Sequence, residues 1–169
     1  MAYEVNWAAS LRLRPSEPKD AASILLVWSR SARLAHRFMS LEDFDDLTAG
    51  LVAECAIDAR FILAESENLV IGFMGHTGPV LEFVFVDPIA RRQGIGTSLV
   101  KFAHDVGGTL ETRVYAENAE GVSFLANRDF KMVGRSPKDT MGRPYALYIM
   151  RQAAKDPTLA LNAPPLATP

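Results

Sequence analysis

The chain has 169 residues, with 18 Lys and Arg against 20 Asp and Glu, a formal charge of −2 and 49% hydrophobic residues. That length suits one domain able to bury a real core, and an apolar share near half excludes a fully disordered chain. The balanced charge argues against a nucleic-acid partner engaged through a broad basic face, and the single cysteine excludes an internal disulfide framework. The opening MAYEVNWAAS lacks a basic segment followed by an apolar run. No stretch approaches the roughly 18 apolar residues that span a bilayer. These features read as a cytoplasmic protein with no membrane partner, acting on something small.

Leu11–Arg14 alternates apolar and basic residues, as a strand with one buried face does. Pro15 to Pro18 ends it, with Ser16 expected to cap the helix that follows. Ile24, Leu25, Trp28, Ala32, Ala35 and Phe38 form one apolar stripe across a helix over Lys19–Phe38. Ser40-Leu41-Glu42-Asp43 resembles a capping box, and the second helix carries Phe44, Leu47, Leu51 and Val52. Phe61–Ala64 and Leu69–Met74 read as strands joined at Glu67-Asn68. Gly75–Pro79 reads as a turn, and Val80–Val86 as the third strand of an antiparallel meander.

Beyond Asp87-Pro88 the pattern changes. Leu99, Val100, Phe102 and Ala103 make a helical stripe. Leu110–Tyr115 reads as a strand, Asn118–Asn127 as a short helix, and Phe130–Gly134 and Tyr145–Arg151 as closing strands. The order β-α-α-β-β-β-α-β-α-β-β implies a mixed sheet with helices on its faces, in the α/β or α+β class. Residues 1–151 are expected to form a single domain, its folded part beginning near residue 10. Residues 152–169 hold four prolines, five alanines and no aromatic, the composition of a mobile tail.

A strand, a proline, Arg91, Arg92 and then Gly94-Ile95-Gly96 opening a helix make a candidate anion site. The first turn of a helix carries unpartnered N–H groups and a positive dipole end. Glycine at 94 and 96 is expected to remove side chains that would hold a phosphate away from those donors. The absence of a Lys after Gly96 argues against a nucleotide-triphosphate loop. Leu99, standing where a third small residue is needed, argues against a dinucleotide fingerprint. Cys55 reads as a buried structural thiol. The three histidines lack metal-ligand spacing, so no metal is expected.

On these residues the sequence resembles the GNAT acetyltransferase superfamily. Its signature, an apolar strand ending in Pro followed by Arg/Gln-x-x-Gly-x-Gly/Ala, is similar to Val84–Gly96. Asn118 to Phe124 is similar to the family's Asn-x-x-Ala-x-x-Phe helix. Trp28, His36, Phe38, Gly134-Arg135-Ser136 and Gly142-x-Pro144-Tyr145 resemble a YjaB-like bacterial subgroup. The resemblance implies a GNAT fold whose central sheet splays, and an N-acetyltransferase that moves an acetyl group from acetyl-CoA to a primary amine of a small molecule or protein by direct attack in a ternary complex. It leaves a homodimer open.

The resemblance also implies site residues. Val84, Phe85 and Val86 would lie along the pantetheine arm. Arg91, Arg92, Gln93, Gly94, Ile95, Gly96 and Thr97 would hold the pyrophosphate. Asn118 and Phe124 would sit near the thiol. Glu82, which interrupts an apolar strand, is the first candidate for the base, and Glu111 on the neighbouring strand the second. His36, Trp28 and Tyr145 are expected on the acceptor side, where the acidic start of the second helix (Glu42, Asp43, Asp45 and Asp46) would suit a cation. Two positions depart from the family pattern. Leu125 stands where many members carry the tyrosine acid, leaving Tyr115 or Tyr145 as substitutes, and Asp129 replaces a glycine before Phe130. A GNAT-fold module that binds CoA without turnover is therefore the alternative to an active enzyme.

Overall fold

The computed structural model describes residues 5–57 and 60–152. Seven strands form one sheet in the order β1-β2-β3-β4-β5-β7-β6. They are β1 (Arg12–Pro15), β2 (Phe61–Ser66), β3 (Leu69–Thr77), β4 (Val80–Val86), β5 (Glu111–Tyr115), β6 (Phe130–Ser136) and β7 (Leu147–Gln152). Four helices, α1 (Ala21–Ala35), α2 (Leu41–Glu54), α3 (Ile95–Gly107) and α4 (Ala119–Ala126), complete the expected order. Gln152 ends β7, and the rest of the anticipated tail, residues 153–169, lies outside the described residues. Among the described residues no helix is long and apolar enough to cross a membrane.

Both faces of the central strands are covered, so β2 to β4 are apolar at nearly every position. Successive side chains divide between two cores, with the alternation on β3 shifted at Ile71, the extra residue of a bulge opposite Ala64 and Glu65. Phe61, Leu63 and Phe73 pack with Ile24, Trp28, Phe44 and Leu51 of α1 and α2. Ile62, Ala64, Ile71 and Met74 pack with Leu99, Val100 and Ala103 of α3. On β4, Phe83 and Phe85 join the first core and Val84 and Val86 the second.

Several local expectations are corrected. Ser16 caps no helix. It is buried, its N–H donates to the Phe61 carbonyl at 2.8 Å, and its Oγ accepts from the Phe61 N–H at 3.0 Å, tying the end of β1 to β2. A 3-10 turn at Pro18–Asp20 takes the start of the first predicted helix, and Phe38 lies beyond its end. Val52 is exposed, so the buried face of α2 rests on Phe44 and Leu51. The Gly75–Pro79 turn is only Gly78-Pro79 wide, because β3 continues to Thr77. At the other hairpin Glu67 and Asn68 take φ of 50° and 62°, as a two-residue turn of the primed type needs. Ser40 does cap α2, accepting from the Asp43 N–H at 3.1 Å. The return bond of the box is replaced: the Ser40 N–H donates to the Tyr145 hydroxyl.

Candidate active site

The site is created where β4 and β5 stop pairing. They are parallel neighbours only at Val80↔Glu111 and Leu81↔Thr112, and then diverge. The rest of β4 keeps β3 on its other side. Antiparallel ladders alternate between bonded and non-bonded pairs. The Asp87 N–H donates to the Ile71 carbonyl at 2.8 Å, which fixes the phase. Phe85 and Asp87 therefore turn their backbone groups toward β3, while Val84 and Val86 turn theirs into the gap. Arg91 Nε already donates to the Val86 carbonyl there, at 3.3 Å.

Two clefts meet in this gap. The larger, about 540 Å³, runs from Val84–Val86 past Arg91, Arg92, Gly94, Ile95 and Gly96 to Phe124 and Arg128. The smaller, about 390 Å³, lies on the α1–α2 side and includes Trp28, His36, Glu82, Phe83 and Tyr115. Val84, Phe85, Asn118, Gly121 and Phe124 line both.

The larger cleft suits a phosphate-bearing ligand. Gly94 begins α3 at φ 82°, and no side chain caps that helix end, so the first-turn N–H groups remain available. Nothing stands within 4 Å of where a Cβ on Gly94 would be; glycine is needed there for its backbone angle. At Gly96 the constraint is a neighbour, since a Cβ would meet the Phe124 ring at 2.9 Å. Both glycines thus do something other than simply make room for a phosphate. Asn118 caps α4, its Oδ1 accepting from the Gly121 N–H at 2.9 Å. Two expected ligand residues are occupied elsewhere and do not line the cleft. The Gln93 side chain holds the N-terminal segment, accepting from the Trp7 N–H at 2.8 Å and donating to the Val5 carbonyl at 3.1 Å. Thr97 Oγ1 accepts from Arg128 Nε at 3.2 Å.

The smaller cleft is aromatic. Trp28 stacks on Phe44 with centroids 5.6 Å apart and meets Phe85 edge-on at 5.0 Å. The Trp28 indole N–H donates to Thr48 Oγ1 at 2.9 Å. His36 meets Tyr115 edge-on at 5.2 Å, and its buried Nδ1 has no partner among the described residues. Burial pushes its pKa down to about 4, so it is neutral at neutral pH. Tyr115 donates its hydroxyl to Asp139 Oδ2 at 3.3 Å, and burial together with the Asp139 charge raises its pKa. Asp139 is itself buried and accepts from the N–H groups of Met141 and Arg143 at 2.9 and 2.8 Å.

Of the two candidate bases, only Glu82 lines the cleft. The register of β3 and β4 slips between Gly75↔Phe83 and His76↔Leu81, which leaves Glu82 as the extra residue of a β-bulge. The bulge aims its carboxylate to the same side as Phe83, and both approach the Gly75 position. Arg60 donates to its Oε2, and Thr77 Oγ1 donates to its Oε1 at 2.7 Å. Glu111 stays out of the cleft, bonded by Arg151 Nη2 at 2.7 Å. Tyr145 does not line it either. Its hydroxyl donates to Asp43 Oδ2 at 2.6 Å, and Asp43 also faces Arg143 Nε at 3.6 Å, so that carboxylate is already matched. Glu42, Asp45 and Asp46 are exposed and away from the cleft wall.

Sequence reasoning missed Arg60, Arg128 and Asp139. Only Asp139 carried a local signal, an aspartate three residues before Gly142 in a turn, where its side chain bonds its own backbone. Leu125 is buried in the α3-side core. Asp129 adopts φ 62°, the conformation for which the family's glycine is suited. Cys55 is buried, and burial and then the Glu54 charge push its thiol up.

A splayed mixed sheet, an uncapped glycine-started helix beside two arginines, and a second cleft across the strand define an acyltransferase of the GNAT type. Residues 58–131 match the Acetyltransferase (GNAT) domain family. The chain is 30% identical over 140 residues to the peptidyl-lysine N-acetyltransferase YjaB of Salmonella typhimurium, covering 81% of this chain and 94% of that protein. The solution structure of apo YjaB from Escherichia coli superposes with a TM-score of 0.79 at 28% identity, covering 85% of this chain and 98% of the other. The PaiA N-acetyltransferase of Thermoplasma acidophilum, solved in complex with coenzyme A, shares the fold with a TM-score of 0.66 at 19% identity, covering 85% and 98%. The chain belongs to the GNAT acetyltransferases, whose acyl donor is acetyl-CoA, and it is an acyltransferase.

Proposed function

We propose that the protein transfers an acetyl group from acetyl-CoA to the side-chain amine of a lysine in a peptide or protein, by direct attack across the β4–β5 gap. The observation that carries this reading is the meeting of a basic cleft and an aromatic cleft at Val84, Phe85, Asn118 and Phe124. That the relatives are named peptidyl-lysine N-acetyltransferases supports the acceptor class.

In this reading the backbone groups of Val84 and Val86 would hold the pantetheine amides as an added strand. Arg91, Arg92 and the first turn of α3 would hold the pyrophosphate. Bound there, acetyl-CoA supplies an activated thioester. Glu82 accepts the proton of the incoming ammonium, directly or through a water, because a lysine near pKa 10.4 is otherwise mostly charged at neutral pH. The ammonium competes with Arg60 for that carboxylate. Neutral His36, Trp28 and Phe85 exclude water and place the alkyl stem. Tyr115 serves as cleft wall, because its proton is directed at Asp139. A thiol of pKa about 8.5 leaves tolerably without a positioned acid, so Leu125 is compatible with turnover.

Titration with acetyl-CoA and thiol release with lysine peptides, set against a panel of small amines, test the proposal. Saturable release with lysine peptides above the small-amine rate is expected. Absence of binding at millimolar acetyl-CoA would sink the donor assignment. Binding with release at the solvent background for every amine would leave a CoA-binding module.

A further inference from the structure

Three arginines line the larger cleft: Arg91, Arg92 and Arg128. Arg91 is matched by Glu120, at 3.1 Å. Arg92 and Arg128 have no carboxylate within ion-pair distance among the described residues, so their charges await an anion.

Arg128 is also held in place. Its guanidinium lies 3.6 Å from the centre of the Phe124 ring. Nη1 donates to the Phe124 carbonyl at 2.6 Å, and Nε and Nη2 donate to Thr97 Oγ1. Of five guanidinium N–H groups, three are used and two remain. Fixing the fork beforehand lowers the entropy lost when it takes up a ligand. Its partial burial desolvates the cation, which strengthens its pull on an anion.

Its position selects which anion. Thr97 is the third residue of α3, and the helix rises about 1.5 Å per residue, so Arg128 is anchored within one turn of the Gly94–Gly96 cradle. In coenzyme A the 5′-pyrophosphate and the 3′-phosphate sit on the same ribose. A cation anchored beside the pyrophosphate cradle is placed to meet the second phosphate group of that ribose. We infer that Arg128 receives the 3′-phosphate of coenzyme A and makes donor binding selective for CoA over dephospho-CoA. The inference rests on the donor assignment above. A phosphate monoester carries a charge of about −1.5 to −2 at pH 7 and matches a guanidinium fork in geometry.

The experiment is calorimetric titration of the full chain with CoA and with dephospho-CoA, comparing wild type, Arg128→Met, Arg128→Lys and Arg92→Met. Wild type is expected to bind CoA at least about tenfold more tightly, a difference of about 1.4 kcal/mol. Arg128→Met should bind both ligands with the affinity that wild type has for dephospho-CoA. Arg92→Met should weaken both ligands by a similar factor. If Arg128→Met fails to fold, Arg128→Lys, which keeps the charge but loses the fork, should still lose most of the preference. A preference that persists in either Arg128 variant, or that disappears in Arg92→Met, overturns the inference. Equal wild-type affinities for CoA and dephospho-CoA overturn it while leaving the donor assignment standing. Absence of binding by both ligands removes that assignment and the inference with it.

Discussion

The edge of the Phe124 ring lies 2.9 Å from the point where a Cβ on Gly96 would stand. This contact joins α3 to α4 on the wall of the larger cleft, which both residues line. A methyl group at 96 must push the ring and with it the Arg128 guanidinium stacked on it. Gly96→Ala is expected to cost about 1–3 kcal/mol in denaturant unfolding. It should also weaken acetyl-CoA binding at least about tenfold in calorimetry. Unchanged affinity in a folded variant would show that Phe124 does not shape the cleft.

Glu82 and Tyr115 are expected to separate in kinetics. Glu82→Gln keeps the shape at the bulge and removes the proposed proton acceptor, so kcat should fall by about 10²-fold or more. Tyr115→Phe keeps the aromatic wall and removes a hydroxyl whose proton is directed at Asp139, so kcat should change by less than about tenfold. Steady-state thiol release with a lysine peptide measures both. A Tyr115→Phe loss as large as that of Glu82→Gln would make the phenol a catalytic acid.

His36 sets an acid limit on stability. In the folded protein its pKa is down to about 4, against about 6.5 unfolded. The unfolded state therefore binds the additional proton between these values. The stabilisation is fully present above pH 6.5 and is lost as pH falls through 4. The shift corresponds to roughly 3 kcal/mol. Urea unfolding at pH 7.5 and pH 5 should show a steep drop for wild type and a shallower one for His36→Phe, which retains the ring packing. Equal slopes would mean that the imidazole is protonated inside the fold.

Asp129 holds φ 62° at the turn before β6. Asp129→Gly removes the steric cost of that conformation and is expected to stabilise the protein by up to about 1 kcal/mol, since only part of the ordinary left-handed penalty of about 1–2 kcal/mol applies to aspartate. The denaturant midpoint should rise with an unchanged slope.

The sequence by itself determined the order of elements, the three-strand meander of β2–β4, and the glycine-started α3. These are patterns between residues a few positions apart, where periodicity and backbone angle act directly. It put Glu82 ahead of Glu111 as the base because Glu82 interrupts an apolar strand, but it could not show what either carboxylate bonds. Tertiary structure separates their surroundings, through a bulge that turns Glu82 to the cleft wall and a register that gives Glu111 to Arg151. The same holds for Gln93, which bonds Trp7 from 86 positions away, and for Tyr115, whose proton is directed by Asp139. A polar side chain's role depends on which partner reaches it first. That partner is brought by the folded chain, so the Arg91–Gly96 motif could mark a candidate anion site that the balanced overall charge conceals, but not the residues that would complete its chemistry.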